Sequence, residues 1–339
     1  MATIKDVARL AGVGVGTASR VVSGKGAVSP ATLEKVRKAI AELDYRPSHA
    51  ARALLSGNSQ MIGVYIPFLN GTFYTPILRA IYTDLRAAGL NMMVSFGVGR
   101  GDARQQAIDG VEFLMARGCD GLLLMSNDLV ESDIEALGPI QSRLVVINHG
   151  FASIADQCFS VDHALGGRLA ARTLLDLGHR EIAVIAGPSA APDNVERIGG
   201  FMAELNEAGI DTGKLWMMES DFSAKGGCES ARELVASGYA FTALFCANDE
   251  MAVGALSCFK QAGVSVPGQV SVLGYDDTDG TKFTVPRLSS VHIPWKELTR
   301  DGLNCLLNRC YGLDRPVQRQ FPVSVTMRGS LSTAPGAVG

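Results

Sequence analysis

The segment TIKDVARLAGVGVGTASRVVS, residues 3–23, carries two apolar stripes at helical spacing. Ile4, Val7, Ala8, Leu10 and Ala11 make the first, and Gly12 ends it. Val15, Ala18, Val21 and Val22 make the second, closed by Ser23-Gly24. About three residues separate the two. A third helix is expected from Ser29-Pro30. A serine hydroxyl accepts from the free N–H groups at a helix start, and proline at the first helical position gives up only an N–H that has no partner there. Its apolar positions are Leu33, Val36, Ile40 and Leu43. Tyr45-Arg46-Pro47 breaks the pattern, an Ala-rich stretch runs from Ser48 to Leu55, and Ser56-Gly57-Asn58-Ser59 reads as a linker.

Three short helices with a tight first turn resemble a helix-turn-helix module. The charge agrees. Residues 1–60 sum to +5, whereas the remainder sums to −8 within a chain of 339 residues and net charge −3. A basic head on an acidic body suggests that the head alone binds a polyanion. With 47% hydrophobic and 19% charged residues the chain is ordinary globular protein. It lacks a run of about 18 apolar residues, so no membrane span is expected. Asp6 and Arg9 interrupt the N-terminus where a signal peptide would be apolar, so a cytoplasmic protein is expected. Seven scattered Cys without a C-x-x-C read as reduced thiols rather than a disulfide frame or zinc site.

From residue 61 short apolar runs alternate with helical patterns. The strand-like runs are 61–66, 92–96, 121–125, 144–147, 182–185, 243–246 and 270–273; the helical ones lie near 74–89, 103–118, 163–178, 194–209, 224–237 and 249–263. Buried strands with intervening helices mean parallel sheet covered on both faces. About 270 residues is long for one such sheet, so two lobes are expected, with a ligand between them at the carboxyl ends of the strands.

Gly12-Val13-Gly14-Val15-Gly16 superficially looks like a dinucleotide loop, but a charged amphipathic helix precedes it where that motif needs a buried strand. Phosphate-loop, zinc-protease and nucleophile-elbow motifs are absent, and the five His are scattered. No enzyme, cofactor or metal is expected.

The run Thr3–Ala8, Ala11-Gly12-Val13, Thr17–Val22, Val28-Ser29-Pro30 and Glu42–Pro47 closely resembles the DNA-binding head of the LacI/GalR family of bacterial transcription regulators, nearest to galactose- or β-glucoside-type sugar repressors. The resemblance extends along the chain. It implies an α/β architecture: a helix-turn-helix head (1–47), a hinge helix and linker (48–60), and a core (61–332) like type I periplasmic sugar-binding proteins. Lobe 1 would be about 61–161 plus 294–322, lobe 2 about 162–293 plus 323–331, and 333–339 a tail. It further implies that Val15, Gly16 and Arg20 meet base edges, while Thr3, Thr17 and Ser19 hold phosphates. Arg20 suits a guanine edge, and Val15 a thymine methyl. Two departures are Gly14, where the family has Ser, and Ala18, where it has Val. Ala51 and Leu54 of the hinge would enter the minor groove, Leu54 as a wedge between base pairs.

For the core, the resemblance and the strand ends together single out Phe73, Tyr74, Asn148, Asp162, Arg197, Phe222, Asn248 and Asp276 as effector contacts. Carboxylates, amides and an Arg among aromatics suit a sugar. Asp162, Asn194 and Asp249 are equally readable as helix caps. The expected partners are a pseudo-palindromic DNA operator, a small sugar or glycoside that releases it, and a second copy of the chain, since the tail has no leucine heptads for a tetramer. A purine or phosphorylated corepressor is the competing effector, and a sugar-transport binding protein a remoter alternative. Leu54→Ala should leave core stability unchanged and weaken operator binding with a smaller bend, because the wedge offsets an unstacking cost of a few kcal/mol. Gel mobility on circularly permuted operators measures this, and a parent-like bend would reduce Leu54 to packing.

Overall fold

The computed structural model describes residues 2–23, 27–45, 58–69, 71–98 and 101–335. The hinge stretch, with Ala51 and Leu54, lies outside them.

The head is three helices, α1 (Ile4–Ala11), α2 (Val15–Ser23) and α3 (Pro30–Glu42). Ser29 caps α3 by accepting from the Thr32 N–H, and Gly12 ends α1 in the left-handed conformation, at φ 65°. Val7, Ala8, Ala11, Ala18, Val36, Ala39 and Tyr45 form the buried centre. Ala18 is fully buried there, so the smaller residue at this position belongs to the packing of the head.

The core contains two sheets. The first holds β1 (Met61–Ile66), β2 (Asn91–Phe96), β3 (Gly121–Leu124), β4 (Leu144–Ile147) and β5 (Cys158–Phe159) in the order β2-β1-β3-β4-β5, all neighbours parallel. The second holds β6 (Ile182–Ala186), β7 (Trp216–Glu219), β8 (Ala243–Cys246), β9 (Ser271–Asp276), β10 (Ser289–His292) and β11 (Ser324–Thr326) in the order β11-β10-β9-β8-β6-β7. Among the described residues only β10 and β11 pair antiparallel. Helices α4 (Tyr74–Ala87), α5 (Ala103–Ala116) and α6 (Glu131–Ala136) belong to the first lobe. Helices α7 (His163–Asp176), α8 (Pro192–Glu207), α9 (Ala224–Ser237) and α10 (Asp249–Gln261) belong to the second. The last helix, α11 (Trp295–Tyr311), returns to pack on β3, β4, β5 and α4. Among the described residues no helix is long and apolar enough to cross a membrane.

The strand runs read from sequence coincide with β1, β2, β3, β4, β6, β8 and β9, but β9 extends to Asp276. Four strands and two helices were not anticipated. β5 has two residues; β7 is an edge strand, alternately half-buried and exposed, so its apolar signal is diluted. α6 is one short helix, and α11 buries Thr299 and Asp301 among its apolar residues.

Helices α7 and α8 touch at glycines. A Cβ on Gly167 would overlap the Arg197 carbonyl oxygen, and one on Gly200 the Ala164 carbonyl oxygen. Gly227 and Gly254 do the same for α9 and α10. These contacts seat the N-terminal ends of α8 and α10 beside the strand ends. Gly167→Ala should therefore cost about 1–3 kcal/mol through overpacking and displace α8. Urea unfolding measures the loss; a parent-like midpoint would show that the helices yield at no cost.

Candidate functional site: a cleft between two lobes and an exposed helix face

A cavity of about 400 Å³ opens at the carboxyl ends of the strands, with walls from both lobes. Its floor is built around Arg197, on the second turn of α8 and buried. The guanidinium lies over the Tyr275 ring, 3.8 Å from its centroid. Nη2 donates to Asp193 Oδ2 at 3.1 Å and Nη1 to the Ala247 carbonyl, while Nε has no acceptor among the described residues. A buried guanidinium N–H without a partner costs about 1–3 kcal/mol.

Asn148, just after β4, donates from Nδ2 to Asp193 Oδ2 at 3.1 Å. A carboxylate only accepts, so the Asn148 amide oxygen must face the other way, where His163 Nε2 lies at 2.6 Å. His163 therefore carries its proton on Nε2, and Nδ1 accepts from the Tyr275 hydroxyl at 3.0 Å. Burial holds the His163 ring neutral, its pKa pushed well below the ordinary value, with the Arg197 charge adding to the effect. Burial likewise pushes the Asp276 carboxyl well above the ordinary range; Arg197 opposes this, and Asp249 and Asp193 reinforce it.

Three cavity residues sit at left-handed backbone angles: Asn148 at φ 67°, Phe222 at 63° and Asp276 at 106°. Such conformations cost of order 1–3 kcal/mol and persist where surroundings enforce them. Around Phe222 the enforcement is visible. Asn248, the N-cap of α10, donates to the Phe222 carbonyl at 2.9 Å, and a Cβ on Gly187 would overlap the Phe222 ring. Opposite, Phe73 packs edge-on against Trp295 and Tyr74, at centroid distances of 5.0 and 4.9 Å.

Seven of the eight residues singled out from sequence line this one cavity: Phe73, Tyr74, Asn148, Arg197, Phe222, Asn248 and Asp276. Asp162 is the correction. It is exposed, caps α7 by accepting from the Leu165 N–H at 2.7 Å, and is not among the residues that line the cavity. Asn194 is also structural, bonding the Gly187 and Pro188 backbone. Asp249 is buried below the floor, accepting from Ser290 and from the Thr278 N–H. Sequence reasoning missed Asp193, Asn127, Asp128, Glu250, Tyr65 and Trp295 among the lining residues. Asp193 and Glu250 did carry a signal, as acids in the first turn of a helix that follows a strand. Among the described residues no group of His, Cys, Asp and Glu is placed to hold a metal ion.

In the head, Val15 is 45% exposed, which removes a core role for it. Gly16 and Arg20 share its exposed helix, and Thr17 and Ser19 are half-buried. Thr3 is committed locally: its hydroxyl donates to Asp6 Oδ2 at 2.7 Å and accepts from the Asp6 N–H, capping α1. A Cβ at Gly14 or Gly16 would meet nothing within 4 Å.

Residues 3–48 match the family described as bacterial regulatory proteins, lacI family, and residues 171–331 match a periplasmic binding protein-like domain. The chain is 34% identical to the ribose operon repressor of Haemophilus influenzae, over 91% of this chain and 92% of that one. The chain belongs to the LacI family. It is a DNA-binding transcriptional repressor, and its relatives are regulators rather than enzymes. The repressor is also 32% identical to PurR of Photobacterium profundum, over 91% and 92% of the two chains. Its structure resembles that of the lac repressor dimer bound to operator and the anti-inducer ONPF, with TM-score 0.83, 29% identity, and coverage of 98% and 99%.

The neutral His163 has a consequence for pH. As pH falls through about 6.5 the unfolded chain takes up a proton at this position and the folded chain does not, so stability drops on acidification until the folded site itself titrates. The contribution is about 1.4 kcal/mol per pH unit. His163→Gln keeps a donor for Asn148 and removes the titration. Denaturant unfolding at pH 6.5 and 5.0 should show the variant losing about 2 kcal/mol less than the parent; equal losses would mean that His163 is protonated in the fold.

Proposed function

We propose that the repressor acts as a homodimer on a pseudo-palindromic operator in the bacterial cytoplasm, and that a small neutral sugar or glycoside in the cleft releases it. The observation that carries this reading is the cleft wall: the Arg197 guanidinium and the amides of Asn127, Asn148 and Asn248 stand beside the Asp193 and Asp276 carboxyl groups, among aromatic side chains. A sugar hydroxyl both donates and accepts, so it meets both kinds of group, and the C–H face of the ring covers Phe222 or Trp295. Among the described residues Asp128, Asp193, Asp221 and Glu250 line the cleft with Arg197 as its one basic side chain, which opposes a phosphorylated effector. The ribose operon relative supports a sugar, and the PurR relative makes a nucleobase the rival. On the head, Val15, Gly16 and Arg20 would read bases, with Thr17 and Ser19 on phosphates. The capping role of Thr3 leaves its hydroxyl less free for a phosphate. The lobe boundaries expected from sequence are retained in this reading.

The test is thermal unfolding against sugars, glycosides, nucleobases and sugar phosphates. A ligand at a hundred times its Kd adds about 2.7 kcal/mol to stability. Stabilisation by a sugar and by none of the other classes supports the proposal, and stabilisation by a nucleobase alone replaces it. Asp276→Ala should bind the stabilising sugar about 10- to 100-fold more weakly, since a buried hydroxyl left without its partner costs about 1–3 kcal/mol. It should then stay on operator at sugar levels that release the parent, as operator titration would show.

A further inference from the structure

Asp193 joins the two lobes through one buried carboxylate. Its Oδ1 accepts from Asn127 Nδ2 at 2.8 Å and its Oδ2 from Asn148 Nδ2 at 3.1 Å. Both amides come from the first lobe, just after β3 and β4, whereas Asp193 sits in the first turn of α8 in the second. The third donor, Arg197, is on its own helix. Asp193 is 7% exposed, so water competes poorly for these bonds. The His163–Asn148 bond, at 2.6 Å, also joins the lobes and is largely buried, whereas the contact of Thr72 Oγ1 with Glu250 Oε1 at 2.9 Å is exposed.

We propose that Asp193 is the positioning residue for lobe closure, a clasp on Asn127 and Asn148 that also senses the ligand. A carboxylate offers about four acceptor positions, and three are taken. Asp193 lines the cavity, so a ligand hydroxyl takes the last position or displaces an amide. Ligand and lobe closure thereby draw on one group. That sharing is a physical basis for coupling, because a ligand shifts an equilibrium only through contacts that differ between its two states. His163 makes the clasp directional. By accepting the His163 N–H, the Asn148 amide oxygen is held away from Asp193, which keeps Nδ2 on the carboxylate. This inference rests on the cleft being the effector site, but its test contains no sugar and so fails independently of the choice of effector.

The test uses the full-length chain without ligand. Asn127→Asp sets carboxylate against carboxylate. Asn127→Ala removes one donor and serves if the charged variant does not fold. The double variant Asn127→Asp with Asp193→Asn exchanges donor and acceptor. Hydrogen–deuterium exchange is read at 148–151 and 188–194 on the cleft, with 61–66 and 243–246 as internal references. Affinity is read on a DNA duplex selected in vitro by the parent. The single variants at Asn127 should exchange faster at both cleft segments with the reference strands unchanged. Their DNA affinity should shift fivefold or more, the low end of usual allosteric coupling. The double variant should return both readouts towards the parent. An upward shift means that the opened form carries DNA, and a downward shift that the closed form does; either supports the clasp. Parent-like cleft exchange and DNA affinity in Asn127→Ala, or a double variant no nearer the parent than Asn127→Asp, would overturn it.

Discussion

Burying the Arg197 guanidinium is the constraint on which the cleft depends. Moving such an ion out of water costs several kcal/mol unless its donors and charge are met. Asp193, the Ala247 carbonyl and the Tyr275 ring meet most of that demand. Each then acquires obligations of its own. Tyr275 must place its hydroxyl, and does so on His163. His163 must stay neutral and hand its one proton to Asn148. Asn148 must turn its amide to Asp193, which returns the chain of bonds to its start. Five side chains from α7, α8, β9 and the end of β4 thus hold one another in single orientations. A polar network of this kind fixes the orientation of the side chains that it satisfies.

The parallel sheets supply the setting. Consecutive strands run the same way, so their carboxyl ends and the helix starts that follow them gather at one edge of each sheet. Asn148, Phe222 and Asp276 all occur where the chain leaves a strand region, and at those points the backbone takes left-handed angles. The glycine contacts between α7 and α8 and between α9 and α10 bring the helix starts near enough to face one another.

Much of this was legible beforehand because its causes are local. Gly12 and Ser29-Pro30 bound their helices by their own chemistry. Continuous apolar runs marked the strands that are buried on both faces. Residues directly after such strands, Asn148 and Asn248 among them, could be placed at the cleft from chain direction alone. What was not legible depends on partners far away in sequence. Asp162 and Asp193 both stand at the start of a helix after a strand region. One caps its own helix and the other reaches across the cleft, and only the position of Asn127 and Asn148 separates them. β7 escaped because an edge strand does not need a continuous apolar run. Trp295 entered the cavity through a helix that crosses back to the first lobe, which no local pattern announces.

The empty space around Gly14 and Gly16 separates two kinds of change over evolutionary time. A Cβ added at Gly14, just before α2, or at Gly16 on it meets open space. On the reading that this face meets DNA, small substitutions there would change the operator without a steric clash inside the head to repair. The cleft offers no such freedom. A new effector must be accommodated within a ring of mutually dependent bonds, where one replacement strands its neighbour and demands a second. Divergence in the DNA address should thus be gradual and divergence in the signal abrupt, arriving in coordinated sets of residues.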